Sequence, residues 1–293
     1  MRDKNIFLLF FILTFTKPVQ IFCQNAPVVE EKSMQLKGVV IENETNLPLA
    51  YVNVGILNKP VGTVSDLVGN YSLVFKNNNL TDTLQVSIVG YVTQRILLSE
   101  LFKANNKNIN LTKKITFLKE LVVTNKKSNA KIIGRQKTGK LLQISLHNKN
   151  NVEETIGSEI GMKVKIRKEA VIKDVNWYFS ANNFKMIKLR VNVYALKNNL
   201  PDTLLCNKEI FVTIENSKTG WQKIDLVPYN ITVIGDFVIA LQWIEGKQEK
   251  KEDPITIIPV GLSLSKDTYV RVASQDKWKK IGFSLSFFVT LLL

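Results

Sequence analysis

The chain has 293 residues, 45% hydrophobic and 22% charged, which excludes a disordered polypeptide and leaves room for two domains with buried cores. Its net charge is +15, yet only six of the 40 basic residues are arginine, the side chain that reads guanine bidentately, so specific nucleic-acid recognition is disfavoured. A Lys-rich solvated surface with a weak attraction to anionic lipid or polysaccharide is expected instead.

Residues 1–24 join a short basic segment (Arg2, Lys4) to an apolar run over 6–15 and read as a secretory signal peptide, the run being too short to anchor the chain across a bilayer. The protein is therefore expected to leave the cytoplasm. Cys23, at the expected cleavage point, resembles a lipoprotein acceptor poorly because bulky Phe22 precedes it. With Cys23 removed, Cys206 is the only thiol, so no intramolecular disulfide is expected and stability must come from the core.

Residues 25–124 are expected to form a first β-sandwich. Val52, Val54 and Ile56, then Tyr71, Leu73 and Phe75, then Leu84, Val86 and Ile88 alternate with period two, each set on one face of a strand. Asn46-Leu47-Pro48, Lys59-Pro60 and the segment 66–70 divide the runs as turns. In the last of these, Asp66 is expected to accept backbone N–H bonds, Gly69 to supply positive φ, and Tyr71 to re-enter the core. One helical turn within 99–107 and closing strands at 109–111 and 117–124 complete the unit.

The order Gly38-Val-Val, Leu47-Pro-Leu-Ala-Tyr-Val-Asn-Val54, Gly62-Thr-Val-Ser-Asp-Leu-Val-Gly-Asn-Tyr-Ser-Leu73 and Leu84-Gln-Val-Ser-Ile-Val-Gly-Tyr91 resembles the carboxypeptidase regulatory-like domain. That resemblance implies a transthyretin-like sandwich, a non-catalytic role, and a Bacteroidetes envelope protein in the periplasm or associated with the outer membrane. Asp66 is expected to serve the turn at 66–70 rather than to bind a metal, because no second acidic ligand lies nearby in sequence.

Residues 125–154 are rich in Lys, Asn and Gly and are expected to be a linker, with a short apolar island at 141–146. Gly134-Arg-Gln-Lys-Thr-Gly-Lys140 matches seven positions of a phosphate-binding loop, but Leu141 stands where the magnesium-holding hydroxyl belongs and Leu-Leu-Gln-Ile-Ser-Leu alternates as a strand does. Nucleotide binding is not expected. His147, in this polar stretch, is expected at the surface.

Residues 155–293 again read as strands, at 162–166, 172–179, 187–195, 210–214, 221–226, 237–244, 255–258, 269–272 and 283–291. The 237–244 run is apolar on both faces, as a central covered strand is. A second sandwich of jelly-roll type is expected. The segments at 157–166, 189–194, 200–205, 220–231 and 235–244 resemble the C-terminal half of uncharacterised Bacteroidetes envelope proteins, which implies architecture and no activity.

A single histidine rules out a two-histidine zinc site, and no Gly-x-Ser-x-Gly elbow accompanies it, so neither metal nor cofactor is expected. Carboxylate pairs drawn from Glu159, Asp174, Asp225, Asp236 and Glu245 are the material for the alternative reading, a polysaccharide-acting glycosidase. Of the four tryptophans, Trp177 and Trp243 alternate in phase with apolar neighbours and are expected to be core. Trp221 and Trp278 stand in polar contexts and are expected to be exposed and to stack on sugars, with Lys277, Lys279 and Lys280 adding attraction for acidic groups. The functional expectation is an exported, non-catalytic envelope protein that binds a glycan or a protein partner or plays a structural role.

Overall fold

The computed structural model describes residues 33–76, 80–114, 129–139, 141–147, 152–248 and 253–293. The expected signal peptide, Cys23 and the strand expected over 117–124 lie outside the described residues.

The first domain contains β1 (Ser33–Glu42), β2 (Asn53–Ile56), β3 (Gly62–Val64), β4 (Asn70–Lys76), β5 (Thr83–Ser87), β6 (Gln94–Leu97), α1 (Leu98–Lys103) and β7 (Ile109–Leu111). β1 lies between an antiparallel β4 and a parallel β7, and a second sheet runs β3-β2-β5-β6 with every pairing antiparallel. The expected alternation is met: Val52, Val54, Ile56, Tyr71, Leu73, Phe75, Leu84 and Val86 are buried together with Leu36 and Val40 of β1. At the turn into β4, Asp66 Oδ1 accepts the amides of Val68 (3.0 Å) and Asn70 (2.8 Å), Gly69 has φ +79°, and the buried Tyr71 follows.

The second domain begins with β8 (Ala130–Arg135), β9 (Leu142–Ser145), β10 (Glu159–Val164), β11 (Ala170–Phe179), β12 (Ala181–Asn182), β13 (Met186–Lys197), β14 (Leu200–Leu204) and β15 (Phe211–Glu215). It continues with β16 (Gly220–Asp225), β17 (Thr232–Val233), β18 (Phe237–Lys247), β19 (Thr256–Leu262), β20 (Thr268–Arg271), β21 (Lys279–Ile281), β22 (Phe283–Leu285) and β23 (Phe287–Leu292). One sheet runs β14-β13-β18-β10-β20-β21 with β15 on β13; opposite it stand β16-β11-β23-β8, with β17 on β11, and β12-β19-β22, with β9 on β19. Trp177, Trp243, Phe179, Phe237 and Phe287 fill the core between them. β18 is central, with its first eight residues all buried, as its two-sided apolarity requires.

The segment expected as a linker supplies two of these strands. β8 pairs antiparallel with β23 and β9 with β19, and Ile133, Ile144 and Leu146 pack on the core. The expected C-terminal strand is in turn divided at Ser286, where the chain passes from β22 in one sheet to β23 in the next.

The domains meet through buried polar groups. Asn53 Oδ1 accepts hydrogen bonds from Gln242 Nε2 (2.7 Å) and Ser274 Oγ (3.1 Å), and Gln242 Oε1 accepts from Arg190 Nη1 (2.8 Å). Arg190 also donates to the Tyr51 carbonyl and pairs with Glu209, whose other oxygen accepts the Val89 amide at 3.2 Å. Gln275 bonds Gln85 (2.6 Å) and Ser87 (2.8 Å). The segment around Ser274 sits so close to the first domain that a Cβ on Gly55 or Gly62 would stand 2.1 or 2.2 Å from its carbonyl oxygen. Buried polar groups are tolerated only when bonded, so this network fixes the two domains in one relative placement.

Candidate functional site

In the sheet β16-β11-β23-β8, Val175, Trp177, Phe179, Phe287, Val289 and Leu291 face the core. Period two therefore turns Asp174, Asn176 and Tyr178, Trp221, Lys223 and Asp225, and Phe288 and Thr290 to the outer face. A bulge between Ile172 and Asp174 makes this possible: Ile172 is buried in the core, and without the extra residue Asp174 would share its face. The register sets Trp221 opposite Tyr178, Lys223 opposite Asn176, Asp225 opposite Asp174, and Phe288 on the far side of Asn176.

The result is an aromatic cluster beside a polar one. The half-buried Trp221 ring meets Tyr178 edge to face at 5.4 Å and reaches across β11 to Phe288 at 4.8 Å. Next to it, the buried Asp174 Oδ1 accepts from Asn176 Nδ2 (2.7 Å) and Thr290 Oγ1 (2.8 Å), with Lys223 Nζ 3.3 Å from its other oxygen. Asp225 Oδ1 accepts the Val227 amide at 3.1 Å. The rings suit the C–H face of a sugar and the exposed Lys223 and Asp225 its hydroxyls, while Asp174 and Asn176 are buried.

Trp278 stands elsewhere, on the outer face of the seven-stranded sheet. Its half-buried ring packs edge to face on Tyr194 (5.6 Å) and lies 4.8 Å from the Arg271 guanidinium carbon. Beneath it, the buried Glu159 pairs with Arg271 and accepts the Tyr194 hydroxyl at 2.9 Å. Burial first, and then the Glu159 charge, push the Tyr194 phenol well above its usual range. Lys277 and Lys279 are exposed, and Lys280 Nζ stands 5.6 Å over the Tyr269 ring. The structure thus separates Trp221 from Trp278 and its lysines. Trp177 and Trp243 are buried, as their phase indicated. Asp236 pairs with Lys163 (2.9 Å) and Glu245 with Lys247 (3.1 Å), apart from the aromatic face.

His147 is not at the surface. It is 6% exposed, its Nδ1 lies 2.5 Å from Thr256 Oγ1 and its Nε2 2.8 Å from the Pro254 carbonyl, and its ring packs on Phe184 and Trp243. β9, on which it follows, carries it into the core. Close by, a cleft of about 1040 Å3 opens between the domains, with Gln35, Thr63 and Ser72 on one wall and Glu154, Trp243 and Arg271 on the other. Among the described residues no group of three His, Cys, Asp or Glu side chains stands together as metal ligands do.

Sequence reasoning named Trp221, Asp174 and Asp225 but not Phe288, Asn176 or Thr290. The available signal was the phase break between Ile172 and Val175, which turns the even-numbered residues of β11 outward.

No curated protein matches the chain. Among solved structures, the cysteine protease and lectin-like domains of Cwp84, a surface layer associated protein of Clostridium difficile, align at 8% identity and a TM-score of 0.39, over 79% of this chain and 46% of that one. The clostridial protease Cwp84 after propeptide cleavage aligns at 9% and 0.39, over 87% and 70% of the two chains, and an infectious bursal disease virus VP2 subviral particle at 8% and 0.25, over 89% and 64%. These scores are too low to carry an argument about this chain. The family model of the CarboxypepD_reg-like domain matches residues 36–123. The N-terminal sandwich, with its Asp66 turn and buried Tyr71, is a CarboxypepD_reg-like domain.

Proposed function

We propose that the protein is a non-catalytic, exported envelope protein that binds glycans on the outer face of the β16-β11-β23-β8 sheet, with the CarboxypepD_reg-like domain as its rigid structural partner. The observation that carries this reading is the Trp221, Tyr178 and Phe288 cluster, set by register beside the exposed Lys223 and Asp225. Trp278 is assigned a structural part, because it caps the Glu159 and Arg271 pair. The first test is a glycan array probed with the purified protein. Trp221→Ala should lower binding about tenfold or more, as loss of a tryptophan anchor does, with Tm nearly unchanged. Binding that survives Trp221→Ala but is lost when Thr63→Trp fills the interdomain cleft would move the site there and contradict the proposal.

One observation favours the enzymatic reading: Asp174 and Asp225 are cross-strand partners, their Cβ atoms about 5 Å apart as in any such pair. Against it, Asp174 is buried and already bonded by Asn176 and Thr290, which leaves it no open side for a substrate. Release of reducing sugar from a bound polysaccharide, abolished in Asp225→Asn, would establish the enzyme.

A further inference from the structure

The end of the second sandwich where β9 begins and β19 ends carries apolar side chains that none of the described residues covers. Leu141 is 100% exposed, Leu262 80% and Leu264 103%. The antiparallel pairing of Val260 with Leu142 and of Leu262 with Phe283 brings these leucines to one corner, closed by the hydrogen bond from the Ser263 amide to the Gly282 carbonyl (2.9 Å). The other end of β9, at Ser145, borders the interdomain cleft, so the corner is the end of the strand turned away from the first domain.

The surroundings of the leucines are basic. Lys137, whose carbonyl accepts the Ser286 hydroxyl, lies beside the end of β22, and Lys279 and Lys280 lead into the Gly282 turn. The Arg135 guanidinium packs against Gly261, and Lys266 is exposed on the tip itself. The tip's acid, Asp267, is paired with Lys165 at 2.9 Å. Isolated exposed leucines are ordinary, but three nearly naked ones at a corner whose neighbours are cationic match an interface that is apolar inside and anionic at its surface.

We propose that this corner is a membrane-docking tip, which lays Leu141, Leu262 and Leu264 into the headgroup boundary of an anionic bilayer while the surrounding lysines meet lipid phosphates. A second copy of the chain fits the corner less well, because a twofold contact sets the same patch against itself and would bring like charges together. The tip shares no residue with the Trp221 face, so each can be abolished without the other.

The test is co-sedimentation with vesicles of phosphatidylglycerol and phosphatidylcholine, at low and high salt. Wild-type protein should bind anionic vesicles, bind less as salt rises, and bind pure phosphatidylcholine weakly. Leu262→Ser with Leu264→Ser should weaken partitioning about tenfold or more, and Lys266→Glu by less, with glycan binding and Tm unchanged because these side chains touch solvent. Wild-type protein that fails to bind, or a double leucine variant that binds as well as wild type, overturns the proposal. So does a concentration-dependent dimer that the leucine substitutions dissolve, which would assign the corner to self-association.

Discussion

Arg190 holds a full charge at 2% exposure, and it is tolerated because Gln242, the Tyr51 carbonyl and Glu209 surround its guanidinium. Removing one partner of such a set leaves the rest desolvated and unpaired. Glu209→Ala should therefore destabilise the protein by about 3 kcal/mol or more, measured by urea denaturation; a cost below about 1 kcal/mol would mean that water replaces the carboxylate. Trp278→Ala should lower Tm where Trp221→Ala does not, since the first uncovers Glu159 and Arg271 and the second only thins an outer face. Burial raises the phenols of Tyr71, Tyr194 and Tyr269. A raised folded-state pKa gives stability that is full below the unfolded value of about 10 and lost as pH climbs through the folded value. Tm should hold to about pH 9 and fall above it, with a shallower fall in Tyr194→Phe. A Tm constant to about pH 11 would show these hydroxyls to be accessible.

At the scale of elements, the strands that alternate cleanly were legible in the chain. β2, β4 and β5 show their buried faces through Val54, Leu73 and Val86, and β18 shows a central position through two apolar faces. β8 was not legible, because Lys131, Gly134 and Arg135 break its pattern and its strand state depends on β23, over 150 residues away. His147 escaped for the same reason: its partners Thr256 and Pro254 are more than 100 residues distant while its sequence neighbours are polar. Half of the candidate site was legible, since a polar context marked Trp221. Its partners were not, since the pairing of Asp174 with Asp225 and of Asn176 with Phe288 is a matter of register. β8 gives a direct check by limited proteolysis. The bond after Arg135 should resist trypsin while the protein is folded; prompt cleavage there would mean the strand is a linker after all.

At the scale of the whole molecule, two separate hydrophobic cores are joined by a hydrogen-bond network and by the contact of the Tyr51 and Phe211 rings at 5.1 Å. Such a joint is specific in geometry and intolerant of steric change. Gly55→Val should push the Ser274 carbonyl away and split a single calorimetric unfolding transition into two; one unchanged transition would show that the contact does not couple the domains. Rigid placement matters if the proposed sheet face is to be presented to a polymer in one orientation. The most direct test of that face is the NMR titration of an indole-labelled protein with the best array glycan, following the four tryptophan N–H resonances. The account predicts that the Trp221 resonance shifts with saturable binding while those of Trp177 and Trp243 stay fixed. A saturable titration in which Trp278 moves and Trp221 does not would contradict it.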